Sequence, residues 1–578
     1  MDGHTEDIPS YLSDKYKDLY NSTCDIDEVL AIEKQLESSI SDSNMQEIDQ
    51  ISWINFKTCS KRLKPAKNDP FFQLSSDCFR EAPDILFKIL ALIFKSYVSH
   101  GHVSKFLLLS TLIPIIKNKL GDITSSSNYR SIAISSVVLK IFDLVILSFF
   151  KDKLNLDELQ FAYQSEVSTS MCTWIAIETI GYFQRNGSDV YSCLMDMSKA
   201  FDTVKHSVLF KKLLHQGLPP IMVRYILITY KHQQANVKWN GEESEFFEVS
   251  NGVKQGAILS AVLYCVYTNE LFSELRRSKV GCTIDNVYVG CLGYADDLFL
   301  LSPTIDGLQH MIRICERFAV RNNLTFSTDS NPQKSKTKCI SFNVKKNESL
   351  PKLKLSGNYL PWVDCGKHLG IKIQNKSENL LGQDIREKRA QFIQRTNELM
   401  QEFSYATPDT KSRINSLYNS HFTGSVLWDL WSKEAKMVYN SWSSSIRRMY
   451  RIDRKTHRYL IEPISNMLHI KTSLLSRFQK FANSIKSSKK KVVRSLYHTL
   501  SGDCRSRLGR NNRIVELELY NDNCDKIKNL TFSPMPAAEN WRLSVIEDLI
   551  HVRDKTKNYH LDWKRDAIED TLKYVCTS

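Results

Sequence analysis

Two carboxylates stand side by side in the segment Tyr294-Ala295-Asp296-Asp297, which lies between two apolar runs. An apolar run, a short acidic turn and a second apolar run, Leu298 to Leu301, predict a β-hairpin with the carboxylates at its tip. About a hundred residues upstream, another strand-like run ends at Asp196. Carboxylates brought together at strand ends repel one another unless a cation lies between them, and Mg²⁺ takes oxygen ligands of this kind. The arrangement therefore favours phosphoryl transfer assisted by two metal ions, the chemistry of nucleotide polymerases.

The neighbours of these carboxylates separate a catalytic site from an ordinary acidic turn. Asp is common in turns and a four-residue motif can occur by chance, so the hairpin alone leaves both interpretations open. Asp196 is followed by Met197-Ser198-Lys199-Ala200-Phe201-Asp202. Between that segment and the hairpin stands Asn251-Gly252-Val253-Lys254-Gln255-Gly256-Ala257-Ile258-Leu259-Ser260. Three such segments in this order favour the catalytic interpretation.

The three segments resemble the palm of reverse transcriptases. They read Asp-x-x-x-Ala-Phe-Asp, Gly-x-x-Gln-Gly-x-x-Leu-Ser and Tyr-Ala-Asp-Asp, and their spacing is similar to that of the non-LTR (LINE-type, jockey-like) retrotransposon branch. Further segments resemble the family's two finger motifs, the strand and lysine after the hairpin, and the primer grip: Ile113–Lys117, Asn128–Ile132, Lys334–Phe342 and Lys367–Ile371. The resemblance covers roughly residues 55 to 470.

The resemblance implies an α+β right-hand polymerase with fingers, a palm of antiparallel sheet and flanking helices, a helical thumb, and a helical C-terminal region. We therefore expect an RNA-directed DNA polymerase that joins dNTPs to a primer 3′-hydroxyl with two Mg²⁺ ions, for which Mn²⁺ can substitute. Such transfers depend mainly on positioning and charge neutralisation. The implied partners are an RNA template, a DNA primer or target, and dNTPs. The sequence leaves the oligomeric state open.

The matching motifs assign roles to individual residues. Asp196, Asp296 and Asp297 are the expected catalytic and metal-binding residues, because three carboxylates suit two dications and substrate phosphates. Lys336 is the expected catalytic lysine near the leaving pyrophosphate, although Lys334 and Lys338 are close enough to leave the register open.

The other assignments concern the nucleotide and the primer. Phe201 matches the aromatic floor beneath the incoming sugar, where a bulky ring disfavours a 2′-hydroxyl; a simple core Phe is the alternative. The remaining expected nucleotide-binding residues are Lys117, Arg130, Gln255 and Gly256. The first two would contact the triphosphate as cationic donors, with a solvated side chain as the alternative for each. Leu369 and Gly370 are expected to help hold the primer end.

The chain divides into five predicted regions. They are an acidic N-terminal extension (1–55), the fingers (56–189), the palm with a second finger insertion and the primer grip (190–375), the thumb (376–470), and a basic C-terminal region of unknown role (471–578). Residues 1–50 hold 13 Asp and Glu against 3 Lys and Arg, whereas residues 441–500 hold 14 Lys and Arg against 2 Asp and Glu. The extension is predicted to be helical.

Charge is the second indication of a nucleic-acid partner. The 578 residues carry a formal charge of +14 with pI near 9.0, the footprint of a partner with a phosphate backbone. Six cations between Arg447 and Arg458 have helical spacing and interleaved tyrosines, which favours nucleic acid over a plain solvated helix face. Ser487 to Lys491 is a candidate basic linker.

Cysteine use and hydropathy bear on the compartment. The 14 cysteines form no Cys-x-x-Cys pair, so a zinc knuckle or a disulfide framework is not expected. No signal peptide is recognisable, and we expect an intracellular protein, nuclear or cytoplasmic. The most apolar stretch, Ser131 to Phe150, is interrupted by Lys140 and Asp143, which argues against a membrane span and for a buried strand followed by a helix.

Departures from the family pattern keep other hypotheses open. Leu259-Ser260-Ala261 stands where Leu-Ser-Pro is usual, a mild change, and residues 1–60 hold nothing like the upstream endonuclease expected in this branch. A catalytically silent remnant, or an RNA-binding protein taken over by its host, is therefore the main alternative. An RNA-copying RNA polymerase or an intron maturase would share the palm, but Phe201 argues against ribonucleotide use.

Overall fold

The computed structural model describes residues 1–2, 7–22, 25–331, 334–343, 350–376, 379–456, 460–465 and 467–521. Its helices are α1 Ile8–Tyr20, α2 Ile26–Ser39, α3 Asp42–Asp49, α4 Trp53–Ser60, α5 Ser76–Arg80, α6 Asp84–His100, α7 Lys105–Leu108, α8 Val137–Phe149, α9 Thr169–Arg185, α10 His206–His215, α11 Pro220–Lys231, α12 Ile258–Arg277, α13 Ile305–Arg321, α14 Gly382–Glu402, α15 Pro408–Ile414, α16 Lys433–Met449, α17 Ile461–Ser465, α18 Ile470–Lys486, α19 Lys491–Ser501 and α20 Arg507–Asn521. Its strands are β1 Leu109–Ile116, β2 Tyr129–Ser135, β3 Val190–Asp196, β4 Gln234–Trp239, β5 Glu242–Glu243, β6 Phe247–Glu248, β7 Thr283–Ile284, β8 Val287–Tyr288, β9 Cys291–Tyr294, β10 Asp297–Ser302, β11 Lys338–Phe342, β12 Lys354–Leu355, β13 Asn358–Tyr359, β14 Cys365–His368 and β15 Ile371–Gln374. The predicted α+β class is confirmed.

The predicted carboxylates belong to a four-stranded antiparallel sheet in the order β11-β3-β10-β9. Successive residues of β3 point to opposite faces, yet Ser192, Cys193 and Met195 are all at most 2% exposed. The sheet is therefore covered on both sides, which explains why β3 is a continuous apolar run and not an alternating one. Helices α9 and α13 pack against its strands.

A second sheet has the order β2-β1-β4-β5, with β6 also paired to β4. Strand β1 is antiparallel to β2 and parallel to β4. The predicted strand and helix over Ser131–Phe150 are confirmed, because β2 leads into α8 through a Ser136 cap. The charge inside this stretch is accommodated by a contact: Asp143 is buried and accepts the backbone N–H of Leu259 at 3.4 Å.

Helices follow the two sheets to the end of the described chain. The predicted helical character of 376–470 agrees with α14 to α16, and a π-helical turn, Asn415–Asn419, follows α15. Helix α18 contacts α9 through an edge-to-face contact of Trp174 with Phe481 (6.5 Å between ring centroids), and the loop between α19 and α20 contacts it through an ion pair of Arg185 with Asp503 (3.5 Å). The basic C-terminal region thus contacts the helix that packs on the four-stranded sheet.

Two compositional expectations can be compared with the described residues. The eleven cysteines among them are free thiols. In the same part of the chain, no helix is both long and apolar enough to cross a membrane.

The first strand of the acidic hairpin is shorter than the apolar run that precedes it. Asp285 and Asn286 both have positive φ, and this two-residue turn folds β8 back onto β7. Only Cys291–Tyr294 then pairs with β10. The predicted hairpin is confirmed, with its upstream strand confined to β9.

Two basic segments differ in detail from the pattern that their charges suggest. Helix α16 ends at Met449 and Arg451 has φ +56°, so the cations after Arg448 do not continue one helix face; Arg458 lies outside the described residues. The predicted linker over residues 487–491 does connect two helices, α18 and α19. Lys490 within it is nevertheless only 4% exposed, and its ammonium donates to the carbonyls of Asp157 (3.2 Å) and Glu158 (3.1 Å). Lys490 therefore anchors the C-terminal helices to the segment that precedes α9.

Candidate active site

Strand register brings the three predicted carboxylates to one end of the sheet. Asp297 is the first residue of β10 and pairs directly with Asp196, the last residue of β3. Asp296 lies in the turn between β9 and β10, after Ala295, whose φ is +56°. Since opposite residues of an antiparallel pair have Cβ atoms about 5 Å apart, the alignment of Asp196 with Asp297 makes them neighbours.

Burial and mutual repulsion act on these carboxylates. Burial, followed by the charges of Asp296 and Asp196, raises the pKa of Asp297 to about 6. Burial, with a contribution from Asp196, also raises the pKa of Asp296. A bound cation would relieve both effects, because it neutralises the carboxylates where solvent does not.

Lys336 is the cation nearest to Asp196 among the predicted residues. Its Nζ lies 3.6 Å from Asp196 Oδ2, and its side chain is 70% exposed. An ion pair this exposed contributes about 0–1 kcal/mol to stability, so it does not fix either side chain. Across the part of the chain that the structure describes, no three His, Cys, Asp or Glu side chains form a group that could hold a metal ion. The three aspartates lie at the same end of the sheet, and their oxygens are the ligands that Mg²⁺ prefers, but they do not form a closed coordination shell.

Gln160 is a site residue that the sequence analysis missed. It is fully buried, and its Oε1 accepts the backbone N–H of Ala295 at 3.0 Å and that of Ala162 at 3.1 Å. Around it, the N–H of Phe161 donates to the Gly293 carbonyl and the N–H of Gly293 donates to the Leu159 carbonyl, both at 2.8 Å. The acidic turn is thus held from outside the hairpin. A polar residue inside the apolar run Leu159–Ala162 was the only sequence signal, and it names no partner.

The segment after Asp196 interlocks with the segment that begins at Asn251. Val253 N–H donates to the Phe201 carbonyl at 2.7 Å, and Asn251 Nδ2 donates to the Asp202 carbonyl at 2.7 Å. Gly252 has φ +84°, and a Cβ there would lie 2.7 Å from the Asp202 carbonyl oxygen, so this close approach requires glycine. The half-buried ring of Phe201 stacks on Tyr264, with centroids 4.6 Å apart. The predicted sugar floor therefore has a rigid support.

Gln255 and Gly256 form a turn against β2. The Gln255 carbonyl accepts the N–H of Ala133 at 2.7 Å. Gly256 is exposed with φ +104°, and a Cβ there would lie 3.1 Å from the Ala133 carbonyl oxygen. The turn therefore lies beside the strand that carries Arg130, and its exposed glycine leaves the backbone accessible.

Arg130 lies on β2, and Lys117 directly follows β1. Lys117 Nζ donates to the Ser127 carbonyl at 2.8 Å, and Arg130 is exposed on β2 opposite Ile115. Burial lowers the pKa of Lys117, and the charges of Lys336 and Arg130 lower it further. Arg130 in turn opposes the rise in the pKa of both Asp296 and Asp297. Arg130 and Lys336 thus lie near the three carboxylates, and Lys117 lies near these two cations.

Leu369 and Gly370 form the tip of the β14–β15 hairpin, both with positive φ. His368, the residue just before this tip, is buried. Its ring packs at a tilt against Phe299 (4.9 Å between centroids), and its Nδ1 lies 3.1 Å from Thr173 Oγ1. The predicted primer grip is therefore anchored to β10 and to α9.

Comparison with known proteins agrees with this arrangement. Residues 116–373 match the family model described as reverse transcriptase (RNA-dependent DNA polymerase). The chain is 26% identical over 185 residues to the retrovirus-related Pol polyprotein from the type-2 retrotransposable element R2DM of Drosophila melanogaster. This alignment covers 32% of this chain and 17% of that protein. It is 23% identical over 314 residues to the RNA-directed DNA polymerase from the mobile element jockey of Drosophila melanogaster, which covers 52% of this chain and 33% of the relative.

The matches are partial on both sides. The chain spans only 17% to 33% of the length of these two relatives. Among solved structures, a telomerase from Candida albicans in complex with a fragment of telomeric RNA is 12% identical, with a TM-score of 0.32 over 72% of this chain and 69% of that one. A TM-score this low does not establish a shared global fold.

Proposed function

We propose that this chain, which carries a reverse transcriptase domain similar to those of non-LTR retrotransposon Pol proteins, is an RNA-directed DNA polymerase of retrotransposon origin. The observation that supports this most is the register that sets Asp297 opposite Asp196, with Asp296 in the adjoining turn, inside the matched residues 116–373. The reaction is attack of a primer 3′-hydroxyl on the α-phosphate of a dNTP, with release of pyrophosphate.

Asp196, Asp296 and Asp297 would hold Mg²⁺, or Mn²⁺ in its place. When bound, the ions supply Lewis-acid stabilisation of the attacking and leaving oxygens. The donor set fits, because it consists of hard oxygen ligands, and because burial together with the charges of Asp296 and Asp196 raises the pKa of Asp297 to about 6. Lys336, whose Nζ lies 3.6 Å from Asp196 Oδ2, would donate a proton toward the leaving pyrophosphate.

The nucleotide would lie between β2 and the segment after β3. Lys117 and Arg130 would bind the triphosphate, Gln255 and Gly256 would contact the nucleotide and template through an accessible turn, and the Phe201 ring would exclude a 2′-hydroxyl. The stack of Phe201 on Tyr264 supports that last role, because a ring held from behind cannot yield to a larger sugar. Leu369 and Gly370 would contact the primer end.

We propose the same five regions as functional units. The fingers (56–189) carry Lys117 and Arg130, the palm (190–375) carries the aspartates and the primer grip, and helices α14 to α16 belong to the thumb (376–470). The +14 charge supports an RNA template and a DNA primer as partners. Residues 1–55 and 471–578 flank this polymerase unit.

Primer extension on an RNA template tests the proposal. Wild type, Asp296→Asn and the control Asp306→Asn are compared with dNTPs and Mg²⁺; Asp306 is an exposed aspartate in the first turn of α13. We expect wild type and Asp306→Asn to extend the primer and Asp296→Asn to fail. A folded wild type that binds RNA without extending would instead support the silent or co-opted alternative.

A further inference from the structure

The N-terminal helix α1 contacts three of the segments that form the proposed nucleotide site. The Tyr20 hydroxyl donates to Asp202 Oδ1 at 3.0 Å and lies 2.9 Å from Ser131 Oγ on β2. The Tyr20 carbonyl accepts the N–H of Asn251 at 2.9 Å. Tyr20 is only 4% exposed, so the end of α1 is built into the junction of these segments.

The start of the chain and α1 also hold the loop between β1 and β2. The carboxylate of Asp2 accepts the N–H of Ser126 at 3.1 Å, and the N–H of Asp2 donates to the Thr124 carbonyl at 2.7 Å. Lys15 Nζ donates to Ser126 Oγ. The next residue, Ser127, accepts from Lys117 Nζ at 2.8 Å. Lys15 and Lys117 therefore place their ammonium groups on two consecutive residues of one loop.

This geometry collects four cations: Lys15, Lys117, Arg130 and Lys336. Burial lowers the pKa of Lys117, and the nearby charges of Lys336, Arg130 and Lys15 lower it further, while Asp202 opposes them. Such a cluster costs free energy in the absence of an anion and is relieved by a polyanion. Lys15 belongs to the most acidic part of the chain, where Lys and Arg are few. Lys15 is therefore a cation in an acidic segment, and its ammonium group contacts Ser126 in the loop between β1 and β2.

We propose that α1 is a component of the nucleotide site and that Lys15 is a fourth cation for the dNTP triphosphate. The ammonium group has three donors and uses one on Ser126, which leaves two for phosphate oxygens. A phosphate of the template strand would offer the same chemistry. The triphosphate is favoured because Lys15 and Lys117 bind the same loop, and because Lys336 and Arg130 of the cluster lie near the aspartates. This inference rests on the proposed function.

Four variants separate binding of phosphate from support of the loop. Lys15→Met removes the cation, Lys15→Arg keeps it, Ser126→Ala removes only the hydrogen bond, and Lys17→Met removes an exposed lysine of the same helix. The KM for dTTP and the affinity for the RNA–primer duplex are measured for each. Thermal unfolding with dTTP and Mg²⁺ provides a readout that needs no catalysis.

We expect Lys15→Met to raise the KM for dTTP about tenfold with little change in duplex affinity, the size of one lost charge-assisted hydrogen bond. Lys15→Arg, Ser126→Ala and Lys17→Met should stay within about threefold of wild type. If Ser126→Ala raises the KM as much as Lys15→Met does, Lys15 only supports the loop. If Lys15→Met weakens duplex affinity alone, the contact is with the template, and if it leaves the KM unchanged, there is no contact. Each of these results overturns the proposal. If wild type binds dTTP in the thermal assay but extends no primer, the polymerase proposal fails while the Lys15 contact is still tested by binding.

Discussion

Gln160 Oε1 accepts the backbone N–H of Ala295 at 3.0 Å and so joins the segment before α9 to the turn that presents Asp296. Ala295 has φ +56°, a conformation that costs a non-glycine residue about 1–2 kcal/mol. Its N–H is buried with the residue, so an unmet donor would add to that cost. One buried amide side chain thereby offsets the strain of the turn and fixes the position of the carboxylate that follows it.

Gln160→Met keeps the volume of the side chain and removes the acceptor. We expect a fall in kcat of about tenfold to a hundredfold, because a small displacement of a reacting group has effects of that size. The Mg²⁺ concentration for half-maximal rate should rise, while the KM for dNTP changes little. Single-nucleotide addition kinetics at varied Mg²⁺ measure all three.

Gln184→Met is the matched control for this variant. Gln184 lies on α9, and within the described residues its buried Nε2 has no hydrogen-bond partner, so its loss should leave the Mg²⁺ dependence unchanged. If both variants lose activity in parallel and neither shifts the Mg²⁺ dependence, Gln160 acts only through general stability.

Asp297→Asn should stabilise the metal-free protein and abolish its activity. The pKa of Asp297 is raised from 3.8 to about 6, so ionisation of the carboxylate costs stability in the folded state. That cost is absent below about pH 4, grows as the pH rises from 4 to 6, and is fully present above 6. It amounts to about 1–3 kcal/mol.

Urea unfolding at pH 4 and pH 7.5, with EDTA present, measures this effect. The free energy of unfolding of the variant should exceed that of wild type at pH 7.5 and equal it at pH 4. Mg²⁺ should then stabilise wild type more than the variant at pH 7.5. A variant that is less stable than wild type at both pH values would rule out repulsion among the aspartates at this end of the sheet.

Phe201→Val should weaken the discrimination against ribonucleotides. Valine replaces the stacked ring with a smaller side chain, which leaves space for a 2′-hydroxyl. The ratio of kcat/KM for dNTP to kcat/KM for NTP should therefore fall about tenfold or more. Phe246→Val, an exposed phenylalanine, is the control and should leave the ratio unchanged. Comparable ribonucleotide use by wild type would already remove this role from Phe201.

Lys490→Met should loosen the C-terminal helices from the polymerase unit. The carbonyls of Asp157 and Glu158 lose their buried donor, at a cost of about 1–3 kcal/mol in the free energy of unfolding. Lys489→Met, the adjacent residue, removes only an exposed ion pair with Glu166 and should cost less than about 0.5 kcal/mol. Limited proteolysis of the region after residue 470 reports the same difference, and equal behaviour of the two variants would contradict the anchor.

Local sequence patterns predicted the elements of the site but not the contacts that hold it together. The apolar run, acidic turn and apolar run gave the β9–β10 hairpin, and the run ending at Asp196 gave β3, because side-chain alternation and turn chemistry act over a few residues. The bonds from Gln160 to Ala295, from Tyr20 to Asp202 and from Lys490 to Asp157 span 135, 182 and 333 residues. The local sequence around such a residue does not identify a hydrogen-bond partner so distant in the chain.

In the basic segments, charge and spacing did not reveal where a helix ends or which side chain is buried. The cations from Arg447 onward have helical spacing, yet α16 ends at Met449. Spacing alone says where side chains would lie if a helix continued, and it does not say where the helix ends. Lys490 lies in the predicted linker between α18 and α19, but its charge gave no sign that its side chain is buried against two carbonyls.

Template-directed addition of a single nucleotide tests the central claim most directly. A primer annealed to RNA is offered one dNTP at a time with Mg²⁺, using wild type and Asp296→Asn. The account predicts that wild type adds only the dNTP complementary to the next RNA base and that Asp296→Asn adds none, although both bind the duplex equally. Addition that ignores the RNA base, or that persists in Asp296→Asn, would contradict it.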